Sequence, residues 1–106
     1  MKIFILFMNN GDDYSTLPKD AKIVHIFKHI KGTPNIHHIQ KRLTQVLDTA
    51  TKDDFIVFNG PSYLTALGGF IWFTQEHREN VNFFAYNVKD NAYVKHTEPL
   101  VLEETK

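Results

Sequence analysis

Two apolar runs set the limits on this chain. Ile3-Phe4-Ile5-Leu6-Phe7-Met8 and Phe55-Ile56-Val57-Phe58 show no apolar–polar alternation, the pattern of strands covered on both faces, as in a parallel sheet. Each run stops at a polar, glycine-containing segment: Asn9-Asn10-Gly11-Asp12-Asp13 after the first, Asn59-Gly60-Pro61-Ser62 after the second. Lys2 before the first run imitates the start of a signal peptide. The run is too short, however, for a signal core of about 7–15 apolar residues or a membrane helix of about 20, and no small-residue cleavage site follows. The chain is therefore expected in the cytoplasm, or in a host cytoplasm if it is viral, with no membrane association.

The intervening segments fill in the rest. Ala21–Ile26 reads as a second strand. Thr33-Pro34 is good helix-start chemistry, with Thr33 as N-cap and Pro34 at the first helical position. Ile36, Ile39, Leu43, Val46, Leu47 and Ala50 then form one stripe at the helical period, predicting a helix over Pro34–Thr49. A second helix is expected from Pro61 or Ser62 to Arg78. Val81–Asn87 and Ala92–His96 read as a hairpin through Val88-Lys89-Asp90-Asn91. The order β-β-α-β-α-β-β predicts an α/β domain over 1–98 with a frayed acidic tail at 99–106. Its single, mostly parallel sheet would run 2-1-3-4-5 and end in an antiparallel hairpin, a half-Rossmann or flavodoxin-like arrangement. The connection between the first two strands is short for a parallel crossover, which leaves an antiparallel hairpin open for that pair.

Composition excludes more than it selects. At 106 residues the chain has the length of one domain, which typically runs to about 100–150 residues. The absence of cysteine removes disulfides, thiol nucleophiles and Cys-ligated metals together. Twelve Lys and Arg balance twelve Asp and Glu, against a protein that lives on nucleic-acid phosphates. The balance is uneven along the chain. Lys28, Lys31, His38, Lys41 and Arg42 form a basic patch within 28–42, a segment with no acid. Adjacent His37 and His38 would diverge by about 100° on a helix, and no His-Glu-x-x-His pattern occurs, so neither metal nor cofactor is expected.

A ligand in an open parallel sheet sits beyond the carboxyl ends of the strands where the order reverses. In the predicted order this is between the first and third strands. Asn9, Asn10, Gly11, Asp12, Asn59, Gly60 and Ser62 are therefore the candidate ligand residues. A helix start after Gly60 suits a nucleotide or phosphate group, although Gly-Pro-Ser is also ordinary helix-start chemistry. Asp12 and Asp13 are candidate carboxylates for catalysis but equally turn-formers, and no catalytic residue is assigned.

The second helix is apolar on two sides. Leu64, Leu67 and Ile71 line one, and Tyr63, Ala66, Phe70 and Phe73 the other, with Trp72 between. Gly68-Gly69 inside it costs roughly 2 kcal/mol against alanine, which implies close packing. Tyr63, Ala66, Phe70, Trp72 and Phe73 are thus candidate homodimer contacts; the alternative is that the aromatics tuck under the hairpin of the same chain. Asp53-Asp54-Phe55-Ile56-Val57, Gly60-Pro61, the apolar helix and Val81-Asn82-Phe83-Phe84-Ala85-Tyr86-Asn87 together resemble small uncharacterised proteins of tailed phages. The resemblance implies a small accessory protein acting on host machinery. The leading expectation is a non-enzymatic protein that acts by binding a protein partner, as a homodimer. A nucleotide- or phosphate-binding domain, with or without hydrolysis, is the competing expectation.

Overall fold

A computed structural model describes residues 1–8, 11–28, 30, 34–75 and 78–100. Strands β1 (Lys2–Phe7), β2 (Lys22–Phe27), β3 (Phe55–Val57), β4 (Phe83–Asn87) and β5 (Ala92–His96) form one sheet, ordered β2-β1-β3-β4-β5. Helix α1 (Ile36–Leu47) joins β2 to β3, and α2 (Ser62–Phe73) joins β3 to β4. The expected α/β class, sheet order and C-terminal antiparallel hairpin are all present. The pair left open is parallel: Ile3 lies beside Ile23 and Ile5 beside His25.

Handedness explains how the layers divide. The chain steps one way from β1 to β2 and the other way through β3 to β4. Right-handed crossovers therefore send the first connection to one face and both helices to the other. On the helical face, Phe4, Leu6, Ile26 and Ile56 meet Ile39, Leu43 and Leu47 of α1 and Leu64 and Trp72 of α2. The opposite face carries Ile3, Ile5, Phe55, Val57 and Phe84, and it is closed by Leu17 from the β1–β2 connection. Among its described residues that connection has no helix. A short turn (Leu17 N–H to Tyr14 O, 3.0 Å) delivers the buried leucine instead.

Both helices are shorter than their apolar patterns. The N-cap of α1 is Asn35, whose Oδ1 accepts from His38 N–H at 3.1 Å; Thr33, the expected cap, lies outside the described residues. Helix α2 stops at Phe73, not Arg78, because the Thr74 hydroxyl donates to Phe70 O at 2.6 Å and closes the last turn. Ser62 makes no side-chain cap. Gly68 meets its expectation: an added Cβ would lie 2.9 Å from a Leu6 methyl, so α2 rests directly on β1. Gly69 has no such constraint, with only the Phe58 ring at 3.9 Å. Two sides of α2 are apolar because the sheet covers one while Leu67, Ile71, Tyr63 and Phe73 pack into the same core.

A polar cluster sits at the amino edge of the sheet. Asp54, 3% exposed, accepts from the backbone N–H groups of Lys2 and Thr51, both at 2.8 Å. Arg78 is 6% exposed, lies 3.8 Å over the Trp72 ring and donates to Gln75 Oε1 at 2.8 Å. Its burial lowers the guanidinium pKa, and Asp54 partly offsets this. The acidic tail was expected from residue 99, yet Pro99 bridges Asn80 and Leu100 N–H donates to Glu79 O at 2.9 Å.

Candidate functional site

Asn59 ties the end of β3 to the end of β1. The Asn59 amide replaces a main-chain pair: Nδ2 donates to Phe7 O at 2.6 Å and Oδ1 accepts from Phe7 N–H at 2.9 Å. Gly60 (φ 91°) lies against the same residue, and a Cβ there would stand 2.6 Å from Phe7 Cβ. The glycine makes room for Phe7 and not for a phosphate. Ser62 is exposed in the first turn of α2, while Asn9 and Asn10 lie outside the described residues.

An opening occurs one strand further along. Pairing of β3 with β4 ends at Val57 and Phe84, whereas β4 continues to Asn87. Two adjoining pockets of about 360 Å³ each occupy this split. One is apolar, walled by Val57, Phe58, Phe84 and Ala85. The other is polar, formed by Gly11, Asp12 and Asp13. Asn59, Tyr86 and Tyr93 line both. Gly11, Asp12 and Asn59 are thus brought together as expected; Gly60 and Ser62 line neither pocket.

Aromatic rings organise the polar pocket. Tyr93 stacks on Tyr14 (6.0 Å, 26°) and meets Tyr86 edge-on (5.3 Å, 70°), while Tyr14 also lies 5.7 Å from His25. Tyr14 OH donates to Asp12 Oδ2 at 3.1 Å, and Asp13 Oδ1 accepts from Ser15 N–H at 2.9 Å. That backbone hydrogen bond holds the Asp13 carboxyl below the usual range. Burial first, then the Asp12 charge, pushes the Tyr14 phenol up to about 12. Tyr93 is raised for the same two reasons, with Tyr86 and Asp13 adding to them. Both hydroxyls therefore stay protonated near neutrality, as donors and not bases.

No motif marks these tyrosines, but their pairing was within reach. A hairpin through 88–91 puts Asn87 opposite Ala92 and therefore Tyr86 opposite Tyr93, as observed. An alkaline titration tests the cluster. The fold favours the neutral phenol, so its contribution is complete below the unfolded pKa of 10.0 and is lost as pH rises towards about 12. The urea midpoint is expected to fall between about pH 9 and about pH 11, and less steeply in Tyr14→Phe. Equal slopes for the two proteins would show that Tyr14 is not held protonated by the fold.

The other candidates fall into two groups. Lys28, His38 and Lys41 are exposed, whereas Arg42 Nε donates to Ile26 O at 2.9 Å and its guanidinium lies 5.6 Å from the Phe27 ring centroid. Lys31 lies outside the described residues. Among the interface candidates, Trp72 is fully buried and belongs to the core; Tyr63 and Phe73 pack against that core, leaving Ala66 and Phe70 exposed. Among the described residues, no three His, Asp or Glu side chains are grouped to hold a metal ion, and no helix is long and apolar enough to cross a membrane.

The chain matches no protein-family model, no curated protein and no solved structure. What the site can do must therefore be argued from its own chemistry.

Proposed function

We propose that the protein is a non-enzymatic accessory protein that binds a protein partner through the cleft between β3 and β4. The observation that carries this reading is the two-lobed opening walled by Tyr86 and Tyr93. Tyr86 is 48% exposed, and tyrosine suits recognition because it offers a large, stiff ring with a polar tip. The phosphate-ligand alternative loses its supports. Phe7 occupies the space against Gly60, both amide atoms of Asn59 are engaged by Phe7, and two carboxylates stand at the lip. A cytoplasmic protein of a tailed phage acting on its host fits this reading, as the resemblance of the Phe55–Asn87 region implies.

Site-specific photocrosslinking tests the location. A benzophenone side chain at Tyr86 is expected to give a discrete protein adduct that Tyr93→Ser removes. The same group at exposed Lys52, at the opposite edge of the sheet, should give none. Identical adducts from both positions, or none from Tyr86, would remove the cleft as the binding surface.

Self-association belongs to the same proposal. Phe70 is 70% exposed on α2, one turn after exposed Ala66, and such a ring is the natural centre of a symmetric contact. Sedimentation is expected to show a dimer that Phe70→Asp converts to a folded monomer. A wild-type monomer at high concentration would remove the dimer from the proposal.

A further inference from the structure

Resting on the reading of the cleft as a binding surface, we infer that its polar lobe recognises a positively charged side chain of the partner, arginine or lysine, with the neighbouring apolar residue seated in the other lobe. The argument starts from what lines the space. Asp12 and Asp13 are both exposed at the lip, and among the described residues no basic side chain lines either pocket. Lys95, two residues beyond Tyr93, has its ammonium 5.0 Å from the Phe55 ring centroid. The lobe therefore carries two negative charges with no compensating cation among the described residues of its walls.

The ring geometry adds to the charge. Tyr86 and Tyr93 touch edge to face at 5.3 Å and 70°, and both rings line the lobe beside Asp12 and Asp13. The faces of aromatic rings are electronegative and attract guanidinium and ammonium groups. Tyr14 OH is already donated to Asp12, which holds that carboxylate in place. An anion would meet two carboxylates here, and a neutral polar group would displace water from them without compensation. The apolar lobe walled by Val57, Phe58 and Phe84 opens directly beyond the shared tyrosines. An apolar residue next to the cation would fill it without crossing solvent.

The probes are three capped dipeptides: acetyl-Phe-Arg-amide, its neutral citrulline analogue and its glutamate analogue. Each is titrated into the full chain with amide chemical shifts as the readout. The arginine peptide is expected to shift Gly11, Asp12, Tyr86 and Tyr93 saturably. The citrulline analogue should bind about tenfold more weakly, as expected from one cation–π contact and one exposed ion pair. The glutamate analogue should give no saturable shift. The double change Asp12→Asn, Asp13→Asn is expected to erase the arginine preference while leaving the spectrum outside residues 11–16 in place, since both side chains are exposed and asparagine keeps an oxygen to accept from Tyr14 and Ser15. Equal affinity for arginine and citrulline would overturn the charge inference while the cleft remained a binding surface. Saturable binding of the arginine peptide together with failed crosslinking at Tyr86 would support the cation site and remove the protein-partner reading. No saturable shift from any peptide would overturn the inference.

Discussion

Trp72→Ala is expected to leave little folded protein at 25 °C. The indole is fully buried, meets Phe4 edge-on at 5.9 Å and donates Nε1–H to Val81 O at 3.2 Å. Truncating a buried Trp typically costs about 3–5 kcal/mol, against a total of about 5–15 kcal/mol for a domain. Here the loss is compounded. The Arg78 guanidinium rests 3.8 Å over this ring, so removing it also strips a buried cation of its platform. Trp72→Phe keeps most of the packing and should cost about 1–2 kcal/mol. Urea unfolding followed by far-UV circular dichroism is the right measure, because the variants delete the single tryptophan. A variant that kept its stability and changed only its self-association would return Trp72 to the interface.

Gly60→Ala is the second large effect. Two costs add at this position. Alanine at φ 91° is strained by about 1–3 kcal/mol. Its Cβ would also sit 2.6 Å from Phe7 Cβ, for about 1–3 kcal/mol more. Phe7 cannot yield easily, since the Asn59 side chain pins both its N–H and its carbonyl. Gly11→Ala provides the control: φ is 92°, yet nothing lies within 4 Å of the added carbon. Gly11→Ala should therefore pay the conformational cost alone, and the difference between the two unfolding free energies isolates the contact. Equal losses would show that Phe7 moves aside.

The fold was largely legible because its signals are collective. Two unbroken apolar runs demanded coverage on both faces, and strands alternating with helices pointed to a mostly parallel sheet, with only the direction of the first pair left open. Of the expected stripe, Ile39, Leu43, Leu47 and Ala50 are buried and Val46 is partly so, while Ile36 at the helix start is 44% exposed. What stayed hidden depends on single side chains. Asn59 substitutes for a backbone pair and ties β3 to Phe7 of β1, an act no periodicity records. Strand β3 ends at Val57, although Phe58 prolongs its apolar run, and this moves the opening to the β3–β4 side. Arg78 reads as a helix-ending cation, yet it is folded inward over Trp72. The aromatics of α2 could not be divided between core and surface from sequence, because Trp72 and Phe70 differ only in which way the helix is turned.

The segment that closes the helix-free face also carries the lip of the cleft. Leu17 covers Ile3, Ile5 and Val57 from below, while Gly11–Asp13 shape the polar lobe a few residues earlier. Tyr93 N–H to Thr16 Oγ1 at 3.0 Å ties the two ends of this arrangement to β5. A connection held by one buried leucine and a few polar contacts opens at lower free energy than a docked helix would. Occupancy of the lobe and closure of the underside are then linked quantities. A partner that fixes Gly11–Asp13 also clamps the leucine plug, so the amides of β1 should exchange with solvent more slowly in the complex although β1 lines neither lobe.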